Sequence, residues 1–129
     1  MRIYTSCIRS KLDCRSVVHG SGRKSYLQVL DPIHNQALRL CLGAYRTSSC
    51  QSLYTETNEL SLNRRIKKLS MNYTLKLKSN PNNPTFASVY NQQFADNFES
   101  KPKAINSFGL RVQQLFSSAS IEIENAIIH

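Results

Sequence analysis

Apolar residues recur along much of this chain three or four positions apart, the spacing of an amphipathic helix. Over residues 2–14, Ile3, Tyr4, Cys7, Ile8 and Leu12 share one face, with Arg2, Arg9 and Lys11 elsewhere. That helix begins at the first residue with no cap before it, as a helix cut open would. His19-Gly20-Ser21-Gly22 reads as a turn. Over 23–42, Tyr26, Leu30, Ile33, Ala37 and Cys41 form a face, with Leu27 and Leu38 beside it. Pro32 removes a hydrogen bond from a helix interior. The apolar register nevertheless runs through it, so the spacing predicts one helix bent near Gln28–Pro32. The alternative is a fresh helix with Asp31 as N-cap and Pro32 at its first position. Gly43 suits a left-handed helix terminus.

Thr47-Ser48-Ser49 can cap a short helix over about residues 50–57, and Ser61 a long one reaching Lys78. In the long helix Leu62, Ile66, Leu69, Tyr73 and Leu77 cover a narrow arc. Arg64, Lys67, Lys68 and Lys78 cover the opposite arc, interrupted by Met71 and Leu75. Asn80-Pro81-Asn82-Asn83-Pro84 stops it. Beyond lies a short helix within 85–94, a loop over 95–106, and helical spacing again at Phe108, Val112, Leu115, Phe116 and Ala119. Ile121-Glu122-Ile123-Glu124 alternates like a strand, although Ser120 could cap a last helical turn. No set of paired strands emerges. The expected class is all-α: a small helical bundle with a loosely structured, partly helical C-terminal tail. Its divisions are a basic helical part at 1–79, the Asn/Pro break at 80–84 and an appended tail at 85–129.

Composition adds a polarity to this layout. The 129 residues carry 17 Lys and Arg against 8 Asp and Glu, a net charge of +9. Residues 1–78 hold 14 basic and 4 acidic side chains, whereas 79–129 hold 3 and 4. A basic block beside a neutral tail points to a polyanion, most often nucleic acid; the bland alternative is a solvated basic surface. The residues expected to meet RNA or DNA phosphates are Arg23, Lys24, Arg46, Arg64, Arg65, Lys67 and Lys68. No apolar run is long enough to cross a bilayer, and Met1–Arg9 has no signal-peptide core, so the expectation is an intracellular protein without membrane contact. Whether nucleus or cytoplasm, and in what oligomeric state, the sequence does not say.

The motifs offer little chemistry. Cys7, Cys14, Cys41 and Cys50 contain no Cys-x-x-Cys pair, and His19, His34 and His129 lack zinc-finger spacing, so no metal is expected. Cys7 and Cys41, on apolar faces, read as small core residues. Gly20-Ser21-Gly22-Arg23-Lys24-Ser25 fails the phosphate-loop spacing. Asn72-Tyr73-Thr74 is a sequon placed on a helix. Phe94-Ala95-Asp96-Asn97 carries one carboxylate where a polymerase turn needs paired ones. Asp13, Asp31, Glu56, Glu59, Asp96, Glu99, Glu122 and Glu124 are scattered over different elements. No catalytic set and no cofactor are expected.

Several collinear blocks, however, form a pattern. They are Ile8-Arg9-Ser10-Lys11-Leu12-Asp13-Cys14-Arg15-Ser16-Val17-Val18-His19-Gly20-Ser21, Leu30-Asp31-Pro32-Ile33-His34-Asn35-Gln36-Ala37-Leu38-Arg39-Leu40, and Leu42-Gly43-Ala44-Tyr45-Arg46-Thr47-Ser48. Ser52-Leu53-Tyr54-x-Glu56, Leu62-x-Arg64-Arg65-x-x-x-Leu69, Pro102-Lys103-Ala104 and Phe108-Gly109-Leu110-Arg111-Val112 continue it. Together they resemble the polyprotein of LINE-type (jockey-like) non-LTR retrotransposons, densely up to about Pro84 and more loosely after. The resemblance implies the helical thumb and connector of a reverse transcriptase, an RNA-directed DNA polymerase. On that reading the palm carboxylates lie upstream and any ribonuclease H domain downstream, so this segment is a fragment, catalytically inert alone. Cys14-Arg15 stand where the family usually has Tyr-Gly, His19 where it has Tyr, and Ser49 where it has Pro, as in a decaying copy. The competing expectation is a stand-alone small basic helical DNA- or RNA-binding protein. An independent enzyme is opposed by the scattered carboxylates.

Overall fold

A computed structural model describes residues 1–14, 16–19, 22, 24–91, 100 and 107–118. Among them every regular element is a helix, and the chain is all-α as its periodicity predicts. Helix α1 is π-helical over Tyr4–Arg9 and continues as α-helix over Ser10–Asp13. Its wide turns coincide with hydroxyls bonded back to the preceding turn: Thr5 to the Met1 carbonyl, Ser6 to Arg2, and Ser10 to Ser6. Such back-bonding competes with the backbone ladder and bends helices. Then follow α2 (Ser16–His19), α3 (Lys24–Leu27), α4 (Leu30–Leu42), α5 (Cys50–Thr57), α6 (Leu62–Lys78), α7 (Pro84–Tyr90) and α8 (Phe108–Ser118).

The helix bounds follow local chemistry. The predicted bend at Gln28–Pro32 is a break: α3 ends at Leu27 and α4 restarts at Leu30. Pro32 then sits in the first turn of α4, where a missing N–H costs no intrahelical bond. Gly43 ends α4 with φ of 64°, a left-handed conformation that a side chain would disfavour. Asn58 ends α5 in the same way, at φ of 53°. Ser49 caps α5, its Oγ accepting from the Ser52 N–H at 3.3 Å. Asn83 caps α7 through the Thr85 N–H at 3.0 Å, with Pro84 at the first helical position.

The core forms where these helices meet. Tyr4 of α1, Leu38 of α4 and Leu53 of α5 are buried, while Leu62, Ile66 and Leu77 line the inner side of α6. Val89, Val112 and Phe116 extend that core across α7 and α8. Both helices beyond the Asn/Pro break lie against α6. Tyr90 donates to the Thr74 carbonyl at 3.0 Å, and the Tyr73 and Phe108 rings meet edge to face at 5.8 Å. Thr74 is buried with its hydroxyl on the Ser70 carbonyl, whereas Asn72, the first residue of the Asn72-Tyr73-Thr74 sequon, is exposed.

Two expectations about the core need correction. The buried face of α4 is His34 and Leu38, while Ile33 is half exposed and Cys41 exposed. Cys7 is also exposed, so neither thiol is a core residue. The cause is a polar centre that apolar spacing does not register. His34 is only 1 % exposed, and its Nδ1 is hydrogen-bonded to the Tyr4 hydroxyl at 2.7 Å. On its other side the ring stacks on Tyr54 at 5.8 Å, whose hydroxyl donates to Asn35 Oδ1 at 2.6 Å. An imidazole bonded through Nδ1 and stacked on Tyr54 can occupy the place an isoleucine was expected to fill.

Candidate nucleic-acid interface

Helix α6 carries the densest set of candidate residues. Leu62, Ile66, Ser70, Thr74 and Leu77 turn inward, and this burial sets the rotation of the helix. Arg64, Lys67 and Lys68 are consequently exposed. Residues three and four apart are neighbours on a helix surface, so Arg64 lies beside both lysines. Among the described residues none of the three forms an ion pair with a carboxylate.

This charge does nothing for the helix that bears it. The first turn of α6 contains no acidic residue, and cations near a helix N-terminus face the positive end of the macrodipole. Like charges at i and i+4, as in Arg64 and Lys68, repel each other as well. Ser61 stands at the N-cap without making a side-chain capping bond. The start of α6 is therefore a surface of positive potential that an anion would relieve.

Arg65 departs from its neighbours. It points inward to Asp13 of α1, with Nε and Nη2 donating to the two carboxylate oxygens at 2.6 Å each. Its side chain is 13 % exposed, and the hydrogen bonds it donates to Asp13 outweigh burial and raise its pKa. Arg9 of α1 donates to Glu59 at 2.9 Å and approaches Asp13 at 3.8 Å. The fold thus joins two carboxylates that look scattered in the sequence, and each is taken by arginine. Among the described residues no group of His, Cys, Asp and Glu could hold a metal ion.

The other candidates are dispersed. Lys24 is exposed at the start of α3, and Arg46 is exposed on the turn after α4. Arg23 and Asp96 lie outside the described residues. Arg39 and Arg111, which the sequence reading passed over, are half-buried cations. Arg39 donates to the Ser48 carbonyl at 3.1 Å. Arg111 lies 5.6 Å from the Phe108 ring centre, and burial lowers its pKa. Burial also pushes the Tyr4 hydroxyl up to about 12 and holds His34 below the usual imidazole value, against a smaller opposing effect of the Leu60 backbone.

No helix among the described residues is long and apolar enough to cross a membrane. No protein-family model, no curated protein and no solved structure matches the chain.

Proposed function

We propose that this chain is a thumb and connector segment of a non-LTR retrotransposon reverse transcriptase, which alone catalyses nothing and grips nucleic acid through its phosphates. The observation that carries the binding half is the outer face of α6. Arg64, Lys67 and Lys68 are exposed and lack carboxylate partners among the described residues, and Arg64 disfavours its own helix from the first turn and through repulsion with Lys68. A phosphate backbone supplies the missing negative charge and is met without regard to sequence. Support for the reverse-transcriptase half is the run of resembling blocks together with the all-α class.

The test uses a primed RNA template. The protein is expected to bind it with salt-dependent affinity, and to incorporate no deoxynucleotide in the presence of magnesium. Template-dependent extension would overturn the first half of the proposal. Affinity indifferent to salt would overturn the second.

A stand-alone DNA- or RNA-binding protein uses the same surface. The observation favouring it is the polar centre at Tyr4, His34 and Tyr54, a core detail made within the chain itself. A marked preference for one duplex sequence over others of equal length would select that reading.

A further inference from the structure

The turn joining α4 to α5 holds an aromatic ring that the fold does not use. Tyr45 is 85 % exposed, more than Ile3 at 75 % or Leu40 at 74 %. An aromatic ring gains most of its stabilisation from burial, so at this exposure it contributes almost nothing to the core. Its backbone is nonetheless firmly held. The Ala44 N–H bonds to the Arg39 carbonyl at 3.0 Å, closing α4, and the Ser48 N–H bonds to the Tyr45 carbonyl at 3.0 Å, closing the turn. Arg39 clamps the turn through the Ser48 carbonyl at 3.1 Å, and Ser49 then caps α5.

The charge around the ring has one sign. Arg46 follows Tyr45 and is exposed, and Arg39 lies against the same turn. Neither forms an ion pair with a carboxylate among the described residues. An exposed ring on a held backbone, with guanidinium groups that lack carboxylate partners among the described residues on the same turn, matches the two faces of an unpaired nucleotide, an apolar base and a charged phosphate. A duplex hides its base faces and leaves the ring unused.

We propose that the Tyr45–Ser48 turn is a stacking platform for an unpaired base of single-stranded RNA or DNA, with Arg46 neutralising the adjoining phosphate. This rests on the nucleic-acid reading of α6 and names a second contact that reading does not contain. Stacking on an aromatic ring is tolerant of base identity, because every base has a π-face.

The test measures affinity for oligouridine, for oligodeoxyuridine and for a long blunt-ended duplex, each over a salt series. Tyr45→Ala is expected to weaken the single-stranded arms about 5- to 150-fold, with the salt slope and the duplex affinity unchanged. Tyr45→Phe keeps the ring and should bind like the original chain. Arg46→Gln should make the single-strand slope shallower by about 0.7. Loss in one single-stranded arm alone supports the platform and names its sugar. Unweakened single-strand binding by Tyr45→Ala overturns the platform; if Gln at 64, 67 and 68 still lowers the slope, the α6 reading survives. Equal weakening of all arms also overturns it. Absence of binding to any arm by the unaltered protein overturns both.

Discussion

Asp13 receives both prongs of the Arg65 guanidinium at 2.6 Å, joining α1 to α6 across 52 positions of sequence. This fork is what distinguishes Arg65 from Arg64, its neighbour in the chain. The Asp13 side chain is 25 % exposed, so solvent weakens the charge term while the paired geometry remains. Asp13→Asn is expected to cost about 1–3 kcal/mol in urea unfolding. Arg65→Lys should also lose stability, because an ammonium group cannot reproduce the fork. An unchanged midpoint in both variants would contradict the assignment.

The inner face of α4 makes a second expectation. Leu38 is fully buried, whereas Leu40, two residues on, is 74 % exposed. Leu38→Ala should cost about 2–5 kcal/mol through lost burial and the cavity left behind. Leu40→Ala should stay within about 0.5 kcal/mol. Comparable losses at the two positions in thermal or urea melts would mean that α4 is rotated from the arrangement described.

His34 gives the stability a pH dependence of known sign. Burial lowers its pKa from 6.5, with Glu59, Asp31 and the Leu60 backbone opposing that shift and Arg65 adding to it. Tyr4 and Tyr54 face the ring and remain protonated over the relevant range. Between the folded pKa and 6.5 the unfolded chain therefore binds more protons than the folded one. The stability is fully present above that window and is lost as pH falls through it. His34→Gln removes the titration, so its stability should vary less with pH across the window, whatever its absolute value. Parallel pH profiles for the two proteins would show that other groups carry the effect.

What the sequence made legible was local. The Ser49 cap and the Gly43 terminus depend on neighbours within a few residues, and short-range chemistry is enough to place them. The face of α4 was not legible, because burying His34 requires the Tyr4 hydroxyl, 30 positions away in the chain. For the same reason the partner of Arg65 was not legible: helix spacing leaves it off the basic arc of Arg64, but Asp13 is on another helix. The exposed arc at Arg64, Lys67 and Lys68 could be read directly, because one helix period sets it.

The central claim is that this arc meets phosphates. Each phosphate contact releases condensed counterions, so log affinity falls linearly with log salt, by about 0.7–0.9 per contact. The most direct measurement compares salt slopes for one primer–template between the unaltered chain and the variant carrying Arg64→Gln, Lys67→Gln and Lys68→Gln. A slope of about −3 to −5 is expected for the unaltered protein, becoming shallower by about two to three in the variant. All sequences should weaken alike. An identical slope in the two proteins would contradict the claim and return α6 to a solvated basic surface.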